Sequence, residues 1–513
     1  MQKMFLMLLI AALSAFAGIT LQPWQYIDTD NPRTAVFIHW EGGEGTVYFS
    51  IDSSYSLSIT GIDYVHLTGL APSMRYNWFL VVDGDTSEMG SFQLDPGPGG
   101  RFKAVLFGDT QFLDTNVVKF FQYAYTVQPD IIAILGDLMT MDNSMCGGCE
   151  DWHNVFNRYP KLFANALFVP VIGNHDAKLL EWQAHFPHIP NTVYPSPLPQ
   201  FQTGVNYFMD YGNITFCIDE GSQGKNYLDV GGTYSWSISS LKSWWTAKLN
   251  ERIANNTLRP IVIELSHYPK YGACYYRSEL GSTFQNRRCL AMYGGHLHWY
   301  SRTKWLKMSS TYCGGIVDTS DVQADSHMVY IVAGQAAGTA TGCAADSAIA
   351  AYQNCGGAIE DGSRLMSVIE AAGDGMIYHR AFRVLNAAGN INVEHAVLDS
   401  LNIDGRQLVS DYFITTGAGA QETPARGITV SVSPNPFNPN TRITGNRQLA
   451  TDGEEIEIEV FNVYGKLVRK LSASYYQLNT GITWDASGQP SGIYFIQVRA
   501  GQYTVIQKAV LAR

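Results

Sequence analysis

At 513 residues the chain is too long for one ordinary domain, and its 46% hydrophobic residues are enough to form packed cores, which excludes a disordered protein. The formal net charge is −11, and no run of Lys or Arg is longer than Arg287-Arg288, so there is no basic track for the phosphate backbone of a nucleic acid. The composition therefore predicts about two to four globular domains whose main partner is not a nucleic acid.

The first 17 residues have the features of a secretory signal peptide. Lys3 precedes an apolar segment that is too short to span a bilayer comfortably, and Ala15-Phe16-Ala17 is a small-x-small cleavage pattern. A buried N-terminal helix is the alternative, but the polar sequence GITLQPWQ follows at once. We expect cleavage after about Ala17. No second segment is apolar and long enough to span a membrane, so the mature protein should have no transmembrane span.

The eight cysteines are an even number, which fits an exported protein in which pairs form disulfides. Cys146-Gly-Gly-Cys149 could be half of a zinc site, but the sequence has no second CxxC motif, so a local disulfide is favoured. Proximity in sequence suggests two further pairs, Cys274 with Cys289 and Cys343 with Cys355.

Short alternating runs between residues 20 and 95 predict a small antiparallel β-sandwich. They are separated by Gly, Asp, Ser and Pro, and they read TAVFIHW, GTVYFS, YVHLTGL, YNWFLVV and GSFQL. The segment DPGPGG (residues 95–100) then marks a linker.

Between residues 101 and 395, buried apolar runs alternate with longer amphipathic or polar segments, as in an α/β sandwich. The runs are FKAVLFGD, DIIAILGD, LFVPVIGN and RPIVIELSH. The segment from Trp152 to Phe163 predicts an amphipathic helix, and the proline-containing insert from Tyr194 to Tyr207 predicts a loop.

Side chains that can bind metals or carry protons follow these runs. Active groups in layered α/β folds lie on loops at strand ends, where a rigid sheet positions them. The run ends supply Asp109 and Gln111 in GDTQ, Asp137 in GDLM, Asn174, His175 and Asp176 in GNHD, His267 in SHYPKY, and His296 and His298 in GGHLH. A lone Asp or His at such a place more often caps a helix or begins a turn. Five clusters in this order instead indicate one catalytic site.

The five clusters together resemble the calcineurin-like metallophosphoesterase family, whose ordered blocks are GDxH, GDxx, GNHD or GNHE, a lone histidine and GHxH. HYPKYG, YGGHLHWYSRT and the earlier VHLTGLAPSMRYNWFL are similar to purple acid phosphatases, which carry a fibronectin-like domain in the same place. The resemblance implies an α/β sandwich core of two mixed β-sheets flanked by helices, with an all-β sandwich domain at each end of the chain. The expected boundaries are signal peptide 1–17, fibronectin type III-like domain 18–97, catalytic domain 98–398, linker 399–426 and C-terminal domain 427–513.

The resemblance also implies two divalent metal ions, which clamp a phosphate, generate a hydroxide nucleophile and neutralise charge on the oxygens during in-line displacement. Asp137 matches the carboxylate that bridges the two ions. The first site would be completed by Asp109, Gln111 and His298, and the second by Asn174, His267 and His296. Glycines 294 and 295 leave room for the two histidines to diverge to different ions.

Four residues are expected to contact the substrate: Asn174, His175, Tyr268 and Tyr271. His175 matches the family's outer histidine, which contacts the phosphate and donates a proton to the leaving alkoxide. Asp176 is expected to orient it by accepting from its other ring nitrogen. The two tyrosines could stack on an aromatic leaving group, although packing is the alternative.

Two positions depart from the family patterns. Gln111 lies where most members carry His, and Thr140 lies where purple acid phosphatases carry the tyrosine that binds ferric iron. Because an amide oxygen is a weaker donor than imidazole and no phenolate remains at this position, we expect a non-purple protein. The first site should prefer Mn²⁺, Mg²⁺, Zn²⁺ or Fe²⁺ to ferric iron.

The C-terminal region contains alternating strands with Asn-Pro and Ser-Gly turns, which predict a small β-sandwich. PNPFNPNT, VFNVYGKLV and SGIYFIQV resemble the type A sorting domain of the bacterial type IX secretion system. The resemblance implies recognition by the secretion machinery, passage through the periplasm, and a protein that is secreted or held at the cell surface. A carbohydrate-binding or spacer sandwich is the alternative.

The sequence therefore predicts an exported phosphoesterase with two divalent metals, and the likeness to acid phosphatases favours phosphate monoesters as small-molecule substrates. A phosphodiesterase acting on nucleotides or lipid head groups is the alternative, since two metals serve either ester. From a different class, an inactive surface binding protein could carry Gln111 as a sign of decay, but the presence of every other ligand argues against it.

Overall fold

The computed structural model divides the chain into two compact units, Met1–Ile414 and Thr415–Arg513. The described residues are 18–52, 54–110, 115–139, 153–176, 179–189, 205–219, 238–269, 280–285, 287–303, 306–307, 327–333, 358–360, 364–371, 377–385, 397–402, 428–447, 455–462, 467–474, 481–500 and 503–512. Several expectations concern residues outside these ranges: the signal peptide, the Cys146–Cys149 motif, the Cys343–Cys355 pair, Gln111, Thr140 and Tyr271.

The N-terminal strands form one six-stranded antiparallel sheet. They are β1 (Leu21–Ile27), β2 (Val36–Ser50), β3 (Leu57–Leu67), β4 (Arg75–Val82), β5 (Asp85–Thr86) and β6 (Gly90–Gln93). The runs TAVFIHW and GTVYFS, which read as two strands, are joined in β2 through Gly42 and Gly43, both at positive φ, where the register with β3 shifts. The first part of β2 pairs with β1 and the last part with β4. The predicted strands are thus present, but hydrogen bonds join them into a single sheet.

The central region contains strands and helices in alternation. The strands are β7 (Phe102–Phe107), β8 (Ile131–Leu135), β9 (Leu167–Val171), β10 (Tyr207–Tyr211), β11 (Ile214–Asp219), β12 (Ile261–Ser266), β13 (Cys289–Gly294), β14 (Tyr300–Arg302), β15 (Leu306–Lys307), β16 (His327–Ala333), β17 (Ala358–Glu360), β18 (Arg364–Ala371), β19 (Ile377–Leu385) and β20 (Val397–Asn402). The helices are α1 (Thr115–Thr126), α2 (His153–Phe156), α3 (Pro160–Ala164), α4 (Leu179–His185), α5 (Ile238–Ala254) and α6 (Ser282–Gln285).

These strands build two mixed sheets, as the sequence predicted. One has six strands in the order β20-β19-β18-β7-β8-β9, with β7, β8 and β9 parallel. The other has eight strands, among which β11, β12, β13 and β16 are parallel neighbours. The parallel strands are buried along almost their whole length, which explains their unbroken apolar sequences. The six-stranded sheet extends to Asn402, so residues 399–402, which were expected to belong to a linker, lie in β20.

The N-terminal sheet shares its hydrophobic core with the six-stranded sheet. Trp24 of β1 stacks on Phe156 of α2, with ring centroids 4.6 Å apart. The buried amide nitrogen of Gln25 donates to the carbonyl oxygens of Ser91 and Ala164, at 2.7 and 2.8 Å. Since buried polar groups require such partners, these bonds fix β1 against the central region.

The segment DPGPGG joins the two parts of this unit and is itself tightly held. Asp95 is fully buried, and its Oδ2 accepts from Nη2 of Arg259 at 2.7 Å. Its Oδ1 accepts the backbone N–H groups of Gly97 and Gly212. The expected linker is therefore a fixed connection, because its first residue is a buried, fully partnered carboxylate.

Three further expectations need correction. The helix predicted from Trp152 to Phe163 is two short helices, because Pro160 begins α3 and cannot continue a preceding helix. Cys289 carries a free, buried thiol, so the suggested pair with Cys274 is wrong; Cys217 is also free and buried. Tyr207, placed at the end of the predicted loop, is the first residue of β10.

In the second unit all the described elements are strands, as the alternating runs predict. They are β21 (Ile428–Ser433), β22 (Asn440–Arg447), β23 (Glu455–Asn462), β24 (Leu467–Ser474), β25 (Ile482–Asp485), β26 (Gly492–Ala500) and β27 (Tyr503–Leu511). They form a three-stranded and a four-stranded sheet. The buried indole of Trp484 lies between the rings of Phe437 and Tyr494, each 5.2 Å away between centroids.

Candidate metal centre

The candidate ligands lie just beyond the carboxyl ends of three parallel strands of the six-stranded sheet and two parallel strands of the eight-stranded sheet. Asp109 follows β7, Asp137 follows β8, Asn174 follows β9, His267 follows β12, and His296 and His298 follow β13. The strand ends of both sheets converge, so the structure brings all six of these side chains together. The expectation that active groups would lie at the ends of the apolar runs agrees with this placement.

Backbone hydrogen bonds join the loops after β7 and β8. The N–H of Asp109 donates to the carbonyl oxygen of Gly136 at 3.2 Å, and that of Thr110 to the carbonyl oxygen of Asp137 at 3.0 Å. The loop after β9 comes equally close, because a Cβ on Gly173 would lie 2.1 Å from the backbone nitrogen of Asp137. Only glycine permits this approach, which gives the glycine of the GNHD motif a physical role.

Four donor atoms form a compact set that includes the carboxylate of Asp137 and centres on Nε2 of His267. His267 Nε2 lies 3.3 Å from Asp137 Oδ2, 3.2 Å from His296 Nδ1 and 3.0 Å from Asn174 Oδ1. Two donors at right angles, each about 2.1 Å from a cation, are about 3.0 Å apart. Carboxylate and amide oxygens with two imidazole nitrogens suit first-row divalent ions. The residues present therefore fit a divalent metal ion.

The ring of His267 is held in the orientation that metal binding requires. Its Nδ1 donates to the carbonyl oxygen of Leu135 at 2.8 Å, which directs Nε2 into the site. Burial opposes charge on this ring, but the carboxylate of Asp137 outweighs burial and raises the pKa of His267 to about 9. For Asp137, burial is likewise outweighed by the neighbouring imidazoles, chiefly His267, so that its pKa is lowered. A bound cation would take the place of the proton that His267 holds against Asp137.

A second set of donors centres on Asp109. Its Oδ1 lies 3.0 Å from Nε2 of His298, and its Oδ2 accepts the backbone N–H of His296 at 2.8 Å. A Cβ on Gly295 would lie 2.4 Å from the carbonyl oxygen of Leu135 and 3.1 Å from Asp109 Oδ2. Glycine is therefore needed here, as the sequence suggested. Gln111, the remaining expected ligand, lies outside the described residues.

Four of the candidate ligands adopt a strained backbone conformation. Asp109, Asp137, His296 and His298 have φ values of 56°, 52°, 66° and 52°. Each such residue costs on the order of 1–3 kcal/mol and persists only where its surroundings fix it. The strain is concentrated in the residues that present donor atoms, which indicates that the site is preorganised.

His175 and Asp176 differ from the expected pair. The backbone N–H of His175 donates to Asp137 Oδ1 at 2.8 Å, and its Nε2 lies 4.0 Å from Asp137 Oδ2. The carboxylate of Asp176 accepts the backbone N–H groups of Met139 and Gly173, at 3.1 and 2.8 Å. It thus ties the loop after β8 to the loop after β9 and does not orient the imidazole of His175. Burial, followed by the charge of Asp137, raises the pKa of Asp176 to about 7.

Tyr268 lies beside the donor set of Asp137. Its hydroxyl donates to Asn174 Oδ1 at 3.1 Å, and its ring centroid is 4.6 Å from that of His296. The structure therefore brings this residue to the site, whereas Tyr271 lies outside the described residues.

Sequence reasoning missed the groups that hold the ligands. These are backbone groups of Leu135, Gly136, Met139 and Gly173, together with Thr110, whose side chain donates to the carbonyl oxygen of Leu138 at 2.9 Å. Backbone donors and acceptors have no side-chain signature. The glycines of the GD, GN and GG motifs were the available signal, since each marks a close approach of two chains.

Two family models match parts of the chain. Residues 102–300 match the model described as calcineurin-like phosphoesterase, and residues 431–512 match the model described as secretion system C-terminal sorting domain. No curated protein matches the chain. Among the described residues, no helix is long and apolar enough to cross a membrane.

Solved structures with a similar fold include that of PhoD, with 13% identity and a TM-score of 0.55, covering 79% of this chain and 94% of that chain. Another is the purple acid phosphatase PPD1 from seeds of yellow lupin (Lupinus luteus), with 14% identity and a TM-score of 0.49, covering 74% of each chain. At such identity the likeness to PhoD concerns the fold alone.

Proposed function

We propose that the protein is an exported phosphatase that hydrolyses phosphate monoesters with two divalent metal ions. The match of residues 102–300 to the calcineurin-like phosphoesterase model supports a metal-dependent phosphoric ester hydrolase. The domain assignment that goes with this proposal is a fibronectin-like region at 18–97, a catalytic region that begins at 98 and includes β20, which ends at Asn402, and a sorting region at 427–513. The ions would be Mn²⁺, Zn²⁺, Fe²⁺ or Mg²⁺.

The observation that carries the proposal is a pair of donor sets on neighbouring loops, one that includes Asp137 and one that includes Asp109. Its Oδ2 faces His267 at 3.3 Å, while its loop is hydrogen-bonded through the backbone to the loop of Asp109, which faces His298 at 3.0 Å. Two donor sets on adjoining loops support a site for two neighbouring cations, and Asp137 is the proposed bridge between them. When bound, the ions supply activation of water and neutralisation of phosphoryl charge.

His175 is the proposed proton donor to the leaving alkoxide. Its side chain is 17% exposed, and the hydrogen bond from its backbone to Asp137 fixes it at the edge of the site. A group that protonates the leaving oxygen must lie beside the site and be open to the substrate; the partial exposure of His175, with its Nε2 4.0 Å from Asp137 Oδ2, supports this role. Asn174 and the hydroxyl of Tyr268, which lie 3.1 Å apart, would contact the phosphoryl group, with Tyr271 as a further substrate contact.

The C-terminal domain indicates type IX secretion, so the protein is exported to the cell surface or beyond. We propose that it reaches the secretion machinery by way of the periplasm, after removal of the signal peptide. Its substrates would then be phosphate esters outside the cell.

Metal dependence and ester preference test the proposal together. The purified mature protein is stripped of metal, supplied in turn with Mn²⁺, Zn²⁺, Mg²⁺ or Fe²⁺, and given an aryl phosphate monoester or the matching diester. We expect metal-dependent turnover that is faster on the monoester. A diester preference would replace the proposed substrate class with nucleotides or lipid head groups. Absence of turnover with metal bound would favour a binding role.

A pair of histidine variants locates the activity. His298→Ala removes a proposed ligand, whereas His66→Ala removes a histidine on β3 of the N-terminal sheet, whose side chain is 35% exposed. We expect the first variant to lose metal and activity and the second to keep both. Equal activity of the two variants would contradict the site.

A further inference from the structure

His379 is a fully buried histidine of β19 that the proposed chemistry does not use. Its Nδ1 lies 3.0 Å from the hydroxyl of Tyr293, and its Nε2 lies 3.0 Å from the hydroxyl of Tyr300. The ring of Tyr300 is nearly parallel to the imidazole, at an interplanar angle of 10° and with ring centroids 6.0 Å apart. One imidazole of the six-stranded sheet thus contacts two tyrosines of the eight-stranded sheet.

The two tyrosines stand at the ends of the loop that carries His296 and His298. Tyr293 is near the end of β13, and Tyr300 is the first residue of β14. Residues 294–299 between them form the whole connection. The contacts of His379 therefore hold both ends of this loop at a fixed separation.

The loop needs such support because its two histidines have positive φ values. Three hydrogen bonds hold its first half: Gly295 N–H to the His267 carbonyl, His296 N–H to Asp109 Oδ2, and Leu297 N–H to the Gly295 carbonyl. His379 itself lies on a strand paired on both sides, opposite Ile369 in β18 and Leu401 in β20, which makes it a rigid anchor.

We propose that His379 is a positioning residue for the metal loop: it clamps Tyr293 and Tyr300 so that His296 and His298 present their nitrogens at the correct spacing. A neutral imidazole offers one donor and one acceptor, and each hydroxyl can take the complementary role. The inference rests on the proposed function only in that His296 and His298 bind metal.

Amide hydrogen exchange of the full chain without added metal tests the clamp itself. In His379→Leu, exchange of residues 294–299 should be about tenfold faster than in the wild type, because the ends of the loop are released. The matched control is His39→Leu. His39 is also a buried histidine that bonds a tyrosine hydroxyl, that of Tyr26 at 2.8 Å, but it lies in the N-terminal sheet. This variant should leave exchange of residues 294–299 unchanged. Equal exchange of the loop in both variants would refute the clamp.

Metal affinity tests the consequence. With Zn²⁺ or Mn²⁺ measured by titration calorimetry, His379→Leu should bind about 10–100-fold more weakly than the wild type, the usual range for loss of a supporting partner. His379→Gln, which keeps a donor and an acceptor, should recover most of this loss, and His39→Leu should bind as the wild type does. Affinity within twofold of wild type in His379→Leu would overturn the positioning role.

Failure of the proposed function can be distinguished from failure of the proposed role of His379. If the wild type binds neither metal, the proposed function fails, while the exchange experiment still decides whether His379 holds the loop. If His379→Leu does not fold, Tyr293→Phe and Tyr300→Phe each remove one of the two contacts. Each should accelerate exchange of residues 294–299, and normal exchange in both would refute the proposal.

Discussion

Substitution of Gly173 by alanine should push apart the loop after β9, which carries Gly173, and the loop after β8, which carries Asp137. The added Cβ would lie 2.1 Å from the backbone nitrogen of Asp137 and 2.2 Å from its Oδ1, whereas ordinary contacts begin at 3.4 Å. Because the first of these atoms belongs to the backbone, no side-chain rotation relieves the overlap, and the loops must move apart by about 1.3 Å. Metal sites tolerate about 0.2 Å in ligand distances.

A displacement of this size should lower kcat/KM by about 10²-fold or more and weaken metal binding. Overpacking should also lower the free energy of unfolding by about 1–3 kcal/mol. The measurements are kinetics with an aryl phosphate, metal content and urea unfolding. Gly69→Ala is the matched control: its φ is 67° with nothing within 4 Å, so alanine there should cost about 1 kcal/mol without changing kcat/KM. Activity of Gly173→Ala within threefold of wild type would show that the loops need not be this close.

Three further changes have defined outcomes. Asp137→Asn keeps an acceptor for the His175 N–H but removes the central charge, so kcat should fall by about 10³ or more in a folded protein; near wild-type turnover would exclude Asp137 as the bridge. Gln111→His should tighten metal binding, measured by calorimetry, and unchanged affinity would mean that Gln111 is not a ligand. Burial, together with His188 and His185, lowers the pKa of His39 from 6.5 to about 3, so the free energy of unfolding should fall as pH drops below about 6.5, by about 2 kcal/mol at pH 5. Urea unfolding of His39→Leu should lack this part of the pH dependence; an identical pH profile would contradict a neutral His39.

The sequence predicted the strands and the positions of the candidate ligands because both depend on local patterns. An apolar run that ends in glycine and an acid specifies a buried strand and the residue at its tip. A local pattern does not specify which group that residue contacts. Asp176 looked like the orienting group of His175, yet it accepts the backbone N–H groups of Gly173, in its own motif, and of Met139, which lies 37 residues earlier in the chain.

Long-range packing accounts for the other differences. DPGPGG has the composition of a free linker, but Arg259, far along the chain, pairs with Asp95 and buries it. Cys289 was matched with Cys274 by proximity, whereas it lies in a central strand beside other buried side chains. His379 had no motif around it, and only the packing of one sheet on the other shows what it contacts.

Contacts between the N-terminal sheet and the central region limit where the chain can be cut to make a stable fragment. Trp24 stacks on Phe156, and Gln25 bonds to the carbonyl oxygen of Ala164. A fragment that starts at residue 102, where the family match begins, would expose the ring of Phe156 and leave the Ala164 carbonyl without its amide partner. A fragment with the bounds of the family match should therefore be less stable than one that includes the N-terminal sheet. Polar substitutions on the faces of α2 and α3 that contact β1 would be needed before such a fragment could be stable by itself.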